Sequence, residues 1–250
     1  MAKLANMESL SRAELLLLCK MAEQTERYEE MIEFVRAFIS KDHSELTVEE
    51  RNILSVAYKN VVGNRRTAWR VLNSIEQKEA RRGNEENKGR SAAYKEKVEG
   101  ELRSFCREIL RLIDSDLLPH TQDEEGKVFF LKMKGDYYRY ICEFAQGQYK
   151  DESSSSAKEC YQQAYDKALS SLDTTHPTRL GLALNFSVFN YEILSQQSEA
   201  CTMAQKAFDD AIQNLENLTD ETAYKDSTMI LQLIRDNLSL WTSEAEVEAN

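Results

Sequence analysis

The chain has 250 residues, enough for one large or two small domains, and its eight glycines and two prolines are a scarcity typical of long helices joined by short loops. Its 43 acidic residues outnumber 32 basic ones, for a net charge of −11, which argues against general binding to nucleic acids or anionic membranes because such binding uses broad basic surfaces. The sequence has no apolar run of the ~20 residues that a membrane span needs, and we expect no secretory leader.

The cysteines indicate a reducing environment. Their number is odd, they are widely spaced, and no two form a C-x-x-C pair, which is typical of intracellular proteins rather than of disulfide frameworks. We therefore expect a soluble intracellular protein in which these thiols are small apolar residues on helices. The five are Cys19, Cys106, Cys142, Cys160 and Cys201.

Helix start signals open the first half of the chain. Ser11 followed by Glu14, and Thr47 followed by Glu50, have the spacing of capping boxes. Residues 47–82 contain no proline and one glycine, so they predict one long helix.

Three stretches predict breaks between helices. Residues 81–91 and 150–159 are rich in Gly, Asn, Ser and charge and predict loops, and residues 114–126 contain a proline and predict a tight break. The capping-box spacing of Ser156 and Glu159 predicts a helix that begins after the second loop.

Two more helices are predicted in the last third. Pro177 suits the first turn of a helix that runs to about Leu194, and Thr219, followed by two acidic residues, suits the start of a last helix that ends near Trp241. The acidic residues 242–250 predict a disordered tail. Because no stretch alternates with period two for long enough to make a sheet, the predicted fold class is all-α.

The long helix carries a narrow cationic line. On a wheel at about 100° per residue, Lys59, Arg66 and Arg70 fall within about 40° of one another. The opposite side of the helix is apolar and consists of Leu54, Val61, Ala68, Leu72 and Ile75.

A second basic line follows in "FFLKMKGDYYRYICEF" (129–144). Lys132, Asp136 and Arg139 lie opposite an apolar stripe, with Tyr140 at its edge. Like charges one turn apart disfavour a helix by about 0.2–0.5 kcal/mol per pair. Two such lines in an acidic protein are either solvated faces or are compensated by an anion or a facing acid, and the sequence leaves both explanations open.

Two later segments are apolar over a wider arc than one buried face needs. Beside its core stripe, the segment 181–194 has a second line of Leu184, Asn185, Val188 and Glu192. The segment 227–241 has a second line of Ile230, Leu233, Asn237 and Leu240. Either both helices are buried on two sides in a multilayer bundle, or they form an apolar groove wall whose asparagines hold an extended peptide by its backbone.

A short internal similarity raises an alternative function. The pattern A-x-x-x-[YF]-x-x-A begins at Ala157 and again at Ala204, and it resembles half of a tetratricopeptide helix pair. The offset of 47 residues differs from the usual 34 or so, and there is no third copy. A tetratricopeptide-like helical scaffold that binds unphosphorylated peptides is therefore the alternative.

Four long motifs resemble the 14-3-3 family closely. They are "SVAYKNVVGNRRTAWRV", "KVFFLKMKGDYYRYICEF", "THPTRLGLALNFSVFNYEIL" and "YKDSTMILQLIRDNLSLWTS". The segment "LLLCKMAEQTERYEEM" is similar to that family's dimerising N-terminal helices. The resemblance runs in order from about residue 10 to residue 243, so the chain is identified as a member of the family.

This resemblance implies nine antiparallel helices in a cup-shaped protomer with a concave groove, paired into a dimer. It implies one helical domain over residues 1–243 and a short acidic disordered tail over residues 244–250. It also implies a non-enzymatic adaptor without a cofactor, located in the cytoplasm and also in the nucleus. Its partners would be phosphorylated client proteins and a second family member, as a homodimer or heterodimer, with no nucleic acid and no membrane span.

The motif match also assigns the binding residues. The phosphate of a phosphoserine or phosphothreonine would be held by Lys59, Arg66, Arg139 and Tyr140. The remaining peptide contacts would come from Arg70, Lys132, Leu184, Asn185, Val188, Glu192, Ile230, Leu233, Asn237, Leu240 and Trp241. The two asparagines among these would bond the backbone of the bound peptide.

The same match assigns a dimer interface. Its residues would be Met21, Arg27, Glu30, Ala68, Leu72, Ile75, Tyr94, Lys97 and Glu101. Across the interface Arg27 would pair with Glu101, and Glu30 with Lys97. The alternative for these charges is ordinary exposed pairing within one chain, worth about 0–1 kcal/mol.

The remaining class of function to consider is that of an enzyme. The three histidines, His43, His120 and His176, lie near predicted helix boundaries or loops, and no Ser/His/Asp, Cys/His or metal-ligand spacing surrounds them. We therefore expect neither a catalytic residue nor a metal site.

The chain departs from the family pattern in a few places. Asn190 stands where an aromatic residue is usual, and we expect altered packing there rather than lost binding. The segment before Leu10 and the predicted loops 81–91 and 150–159 are longer than usual. The longer segment and the two loops lie outside the groove motifs.

Overall fold

The protein is all-α, as predicted. The computed structural model describes residues 7–42 and 44–248, and side chains up to residue 243. In these residues the chain forms nine α-helices and no strand. The helices are α1 (Arg12–Gln24), α2 (Tyr28–Ile39), α3 (Val48–Arg81), α4 (Glu85–Leu112), α5 (Glu124–Phe144), α6 (Gly147–Ser171), α7 (Pro177–Glu192), α8 (Gln197–Ile212) and α9 (Glu221–Glu248).

Most of the predicted helix starts are confirmed. Ser11 and Thr47 are the N-caps of α1 and α3, and both capping boxes are complete. The Thr47 amide donates to Glu50 Oε2 at 2.9 Å, and the Glu50 amide donates to Thr47 Oγ1 at 3.3 Å. Pro177 occupies the first turn of α7. The long helix predicted over residues 47–82 is α3.

The predicted loop 81–91 is much shorter in the structure. Only residues 82–84 separate α3 from α4, with Gly83 at φ +71°, a left-handed conformation that glycine adopts without strain. Asn84 caps α4, since its Oδ1 accepts from the Asn87 amide at 3.2 Å. Composition suggested a loop, but this cap allows residues 85–91 to be helical.

The prediction of a loop over residues 150–159 is wrong, because this stretch lies inside α6. The capping box predicted at Ser156 and Glu159 is therefore also wrong, and the helix begins at Gly147. Ser153 is buried, and its hydroxyl donates to the Tyr149 carbonyl at 2.8 Å. The next buried residues of α6 follow at helical spacing and are Ala157, Cys160, Tyr161, Ala164 and Ala168. Tertiary burial of this face outweighs the weak helix propensity of the serines.

The predicted break over residues 114–126 is confirmed. A short π-helical turn (Ile113–Leu117) and a 3-10 turn (Leu118–His120) separate α4 from α5. Asp123 then caps α5, with its Oδ2 accepting from the Gly126 amide at 2.9 Å.

The last helix is longer than predicted. Asp220 Oδ1 accepts from the Ala223 amide at 2.7 Å at its start, and α9 runs to Glu248 instead of ending near Trp241. Residues 242–248 contain no proline or glycine and include alanine and glutamate, which favour a helix. The predicted disordered tail, residues 244–250, thus begins inside α9, and its last two residues lie outside the described residues.

Packing divides the chain into two compact units, one ending at Thr121 and the other beginning at Gln122. The prediction of one domain over residues 1–243 stays a prediction. In the first unit the buried side chains of α2 and the first half of α3 recur at helical spacing. They include Met31, Val35, Phe38, Leu54, Tyr58 and Val61.

The second unit has two apolar clusters that share α7. One joins α5, α6 and α7 and contains Val128, Ala157, Tyr161, Ala164, Ala168, Leu182, Phe186 and Phe189. The other joins α7, α8 and α9 and contains Leu180, Ala200, Ala204, Ala211, Leu231, Ile234 and Trp241. Helix α7 is therefore buried on two sides, which was one of the two explanations of its wide apolar arc.

The cysteines lie on helices, as predicted. All five are free thiols, and four of them are buried while Cys201 is half-buried. Burial raises the pKa of Cys19 to about 12 and that of Cys142 to about 11, so both remain protonated at neutral pH. Within the described part of the chain, none of the helices combines the length and apolar character needed to cross a membrane.

Candidate functional site

The cationic line of α3 is at least partly accessible to solvent. Lys59 and Arg70 are exposed and Arg66 is half-buried. Opposite them, Leu54 and Val61 are buried as predicted. Helix α3 therefore presents its cations to solvent or a ligand while the first half of its apolar side fills the core.

The basic line of α5 surrounds one buried carboxylate, that of Asp136. Lys132 Nζ donates to Asp136 Oδ2 at 2.8 Å, and Arg139 lies 3.5 Å from Oδ1. From other helices, the Tyr161 hydroxyl donates to Oδ1 at 2.5 Å and the Asn185 amide donates to it at 2.8 Å. We call these five side chains the Asp136 network. Asp136, an acid within the line itself, therefore compensates its two cations.

The charges of the network stabilise one another. Burial alone would raise the pKa of Asp136, but the nearby positive charges of Lys132 and Arg139 outweigh it and lower the pKa below its ordinary value. Burial opposes the charge of Arg139, yet its contacts with Tyr161, Tyr140 and Asp136 raise its pKa further. The network therefore holds two cations and one anion at neutral pH.

Arg139 is fixed on several sides. Its Nε donates to the Tyr161 hydroxyl at 3.1 Å, and its guanidinium carbon lies 4.8 Å from the centre of the Tyr140 ring, within cation–π distance. The Tyr140 ring in turn meets Tyr137 edge to face at 5.5 Å. A guanidinium held this way keeps its orientation, which suits it to recognise an anion.

A glycine allows α5 and α6 to come close enough for these bonds. A Cβ placed on Gly135 would lie 2.7 Å from Cδ1 of Tyr161. The Tyr161 ring cannot move away easily, because it stacks on Phe186 at 5.3 Å and packs against Phe189. The sequence "KGDYYR" thus supplies both the close approach and the charges.

The residues of α7 and α9 that were assigned to peptide contacts differ in exposure. On α7, Asn185 belongs to the Asp136 network, Leu184 and Val188 are half-buried against the α7–α9 cluster, and Glu192 is exposed. On α9, Leu233 and Leu240 are 48% and 54% exposed. Ile230 and Asn237 are half-buried.

Trp241 differs from the rest of this set. It is buried, and its ring stacks on Tyr191 with the centroids 4.6 Å apart. Its side chain therefore joins α7 to α9. Asn190, the departure beside Tyr191, is also buried.

The residues assigned to the dimer interface all lie in the first unit and are largely uncovered in the single chain. Met21, Arg27, Ala68, Ile75, Tyr94 and Lys97 are exposed, and Glu30, Leu72 and Glu101 are half-buried. Met21 and Tyr94 are 51% and 59% exposed. Large apolar side chains left this open are typical of an interaction surface.

The charges at this surface pair within the chain. Arg27 forms an ion pair with Glu30 in the next turn, as the alternative explanation expected. Arg65 joins Glu101 at 3.0 Å and Glu29 at 2.6 Å. A carboxylate has about four lone-pair sites, so the bond from Arg65 leaves Glu101 able to accept a second donor.

The structure brings together some predicted site residues and adds others. Lys132, Arg139 and Asn185 meet at Asp136, whereas the cations of α3 belong to the other unit. Sequence reasoning assigned no role at the site to Asp136 or Tyr161. The helical wheel placed Asp136 beside its two cations, but nothing in the sequence signalled Tyr161, which lies 25 positions further along.

The histidines do not form a catalytic or metal centre in the part of the chain that is described. His120 Nδ1 lies 2.9 Å from the Asp116 carbonyl, and His176 caps α7 through its own Nδ1. No group of three or more His, Cys, Asp or Glu side chains there is placed to hold a metal ion. His43 lies outside the described residues.

Comparison with known proteins agrees with the motifs. The model of the 14-3-3 protein family matches residues 18–242. The chain is 54% identical to 14-3-3 protein I of Plasmodium falciparum (isolate 3D7), over 91% of this chain and 88% of that protein. It is also 54% identical to the 14-3-3-like protein GF14-E of Oryza sativa subsp. japonica, over 96% and 92%. It is 53% identical to the 14-3-3-like protein G-BOX factor 14 kappa of Arabidopsis thaliana, over 95% and 96%.

These matches argue against the alternative of a tetratricopeptide-like scaffold, because the model of one other family matches nearly the whole chain. The chain belongs to the 14-3-3 family, whose members are non-enzymatic adaptors that bind phosphoserine- or phosphothreonine-containing segments of signalling proteins.

Proposed function

We propose that this protein holds the phosphate of a client segment with Lys59, Arg66, Arg139 and Tyr140. The Asp136 network carries the proposal, since it holds Arg139 charged and oriented beside Tyr140 in an otherwise acidic protein. Arg70 and Lys132 extend the basic surface. The family motifs in α3 and α5 support this assignment.

The chemistry of a phosphate group suits these residues. A phosphoester carries about −1.5 to −2 charges and three acceptor oxygens. A guanidinium bonds it bidentately, an ammonium adds a point charge, and a phenolic hydroxyl donates one further hydrogen bond. Charge-assisted bonds contribute roughly 1.5–3 kcal/mol each. A carboxylate mimic with a single charge should therefore bind more weakly.

We propose that the peptide chain next to the phosphate lies along the wall formed by α7 and α9. Asn185 and Asn237 would bond its backbone, and the apolar members Leu184, Val188, Ile230, Leu233 and Leu240 would contact its side chains. Glu192 lies near the same path, and Trp241 supports it from the core. Asn185 already donates to Asp136 with one amide hydrogen, and its carbonyl oxygen remains able to accept from a peptide amide.

Members of the family dimerise, and we propose that this chain does so through the exposed apolar surface of its first unit, with itself or with another member. Arg27–Glu101 and Glu30–Lys97 would pair across the interface and fix the orientation of the protomers. We also propose that the protein acts in the cytoplasm and in the nucleus.

The test uses Arg66→Glu rather than a change at Arg139, since Arg139 is buried and its loss would damage the second unit. We expect the variant to lose binding to a phosphoserine peptide in calorimetry while its circular dichroism stays unchanged. Arg81→Glu, an exposed change on the same helix, is the control and should bind normally. Binding by Arg66→Glu at the affinity of the unmodified protein would refute the assignment. Equal binding of the dephosphorylated peptide would refute phosphate dependence.

A further inference from the structure

A partly apolar cleft lies in the first unit, where α2, the end of α4 and a 3-10 turn before α1 (Met7–Ser9) meet. Its volume is about 680 Å³, within the range of about 300–1,000 Å³ that is typical of ligand sites. The apolar residues of its lining are Met7, Ala37, Ile39 and Leu112. Ile39 is buried and the other three are half-buried, so part of this apolar surface is open to solvent. We call it the Ala37 cleft.

The cleft runs along one face of α2. Glu33, Ala37 and Lys41 line it at intervals of four residues, and eight residues of helix span about 12 Å. An extended chain rises by about 3.3–3.6 Å per residue. This face of α2 is therefore long enough for about three to four residues of an extended peptide.

The two cations of the cleft already have partners within the protein. Arg36 lies 3.7 Å from Glu108 on α4. Lys41 donates to the backbone carbonyl of Glu8, and it follows the C-terminal end of α2, where the helix dipole favours a cation. Neither cation therefore needs a carboxylate of the cleft.

The carboxylates of the cleft are not compensated in this way. They belong to Glu8, Glu33 and Asp116, and none of the three forms an ion pair or a side-chain hydrogen bond with a residue that the structure describes. Asp116 is half-buried and follows the C-terminal end of α4, where the helix dipole disfavours an anion. Its carboxylate would therefore be stabilised by a cation from outside the described chain.

We infer that the Ala37 cleft binds a segment of a partner protein in which lysine or arginine residues flank apolar side chains. The apolar side chains would cover Ala37 and Leu112, and the flanking cations would pair with Glu33 and Asp116. The length of the cleft along α2 suits an extended segment of this kind. The inference does not depend on the proposed phosphopeptide site, because none of the residues assigned to that site lines the cleft.

Calorimetry with the synthetic peptide acetyl-Gly-Lys-Leu-Leu-Lys-Gly-amide tests this inference in the whole chain. A saturating phosphoserine peptide is present throughout, so that the proposed phosphopeptide site is occupied. We expect one lysine peptide per chain. The double variant Glu33→Gln/Asp116→Asn should weaken its binding by about tenfold, because it removes two negative charges and keeps the shape of both side chains. The variant should fold normally, since neither carboxylate has a partner among the described residues.

The control is Glu216→Gln/Asp226→Asn, which removes two exposed carboxylates of the second unit and changes the net charge equally. It should bind the lysine peptide like the unmodified protein, and equal binding by the two double variants would overturn the inference. Equally tight binding of a peptide with glutamate in place of both lysines, or with glycine in place of both leucines, would also overturn it.

Failure of the lysine peptide to bind the unmodified protein would overturn the inference as well. If light scattering then showed association beyond a dimer that Glu33→Gln/Asp116→Asn abolishes, the occupant of the Ala37 cleft would be a second copy of this chain rather than a partner protein.

Discussion

The hydroxyl of Tyr161 in α6 donates a 2.5 Å hydrogen bond to Oδ1 of Asp136 in α5, and both side chains are buried. The same hydroxyl accepts from Arg139 Nε at 3.1 Å. Tyr161 therefore bridges an acid and a base that lie on the neighbouring helix. Through this bridge, the packing of α6 influences the orientation of the arginine to which we assign phosphate binding.

Tyr161→Phe should weaken both the fold and the site. The change removes the donor to Asp136 and the acceptor for Arg139, so we expect a loss of about 1–3 kcal/mol in the free energy of unfolding and weaker binding of a phosphoserine peptide. Urea unfolding and calorimetry measure the two effects. Tyr165→Phe, on the same helix with its ring against Phe186, is the control. If both variants behaved alike, the bridging role of Tyr161 would be wrong.

Asp136→Asn should change how stability depends on pH. The folded-state pKa of Asp136 lies below its ordinary value of 3.8, so the carboxylate stabilises the fold above that value and loses this contribution as pH falls through the folded-state pKa. At pH 7 the variant should be less stable by about 3–5 kcal/mol, since the buried Arg139 and the half-buried Lys132 lose their counter-charge. In urea unfolding the difference between the two proteins should shrink below pH 4, and a constant difference would contradict the assignment.

Gly135→Ala should destabilise the second unit. The added methyl group would lie within 3 Å of the Tyr161 ring, and such overpacking costs about 1–3 kcal/mol. Gly89→Ala is the matched control, because no atom lies within 4 Å of its added Cβ and alanine favours the interior of α4. Thermal unfolding should show a lower midpoint for the first variant and an unchanged or higher one for the second. A lower midpoint for Gly89→Ala than for Gly135→Ala would show that the close contact between position 135 and Tyr161 does not limit stability.

Leu233→Asp tests the wall of α9 without disturbing the core. Its side chain is about half exposed, so the variant should fold normally, yet an unpaired carboxylate beside a bound peptide should weaken binding by about 1–3 kcal/mol. This position is better suited than Val188, which packs against the α7–α9 cluster. Leu169→Asp changes a leucine of α6 with similar exposure and is the control. Calorimetry with several phosphopeptides that shows no loss for Leu233→Asp would remove α9 from the proposed wall.

Met21→Glu should dissociate the proposed dimer. An apolar seam supplies most of the association energy, and salt pairs mainly fix orientation, so this change should act more strongly than the double reversal Arg27→Glu/Glu30→Arg. Light scattering at micromolar concentration should give about twice the 28.8 kDa chain mass for the unmodified protein and one chain mass for Met21→Glu. Val48→Glu, another exposed apolar position of this unit, should remain dimeric. A monomeric unmodified protein would refute the proposal.

Sequence patterns predicted correctly those helix ends that depend on interactions between residues close together in the chain. The capping boxes at Ser11 and Thr47 involve residues three positions apart, so the sequence contains the whole interaction. The stretch 150–159 was predicted wrongly because its helix depends on the burial of Ser153 and Ala157, which no local pattern shows.

The residues of the candidate site also differ in whether the sequence alone could group them. The wheel grouped Lys132, Asp136 and Arg139, because Asp136 lies one helical turn from each of the two cations. Tyr161 joins them only after α5 and α6 pack, so its role was missed.

The contact between Gly135 and Tyr161 also constrains the order in which this sequence can evolve. A larger residue at position 135 would require a smaller one at position 161, yet a smaller residue there removes the hydroxyl that joins Asp136 to Arg139. A smaller residue at position 161 would in turn leave a cavity beside Phe186. Neither position can change first without loss, so we expect lineages that retain phosphopeptide binding to keep both residues together while exposed positions of the same helices diverge.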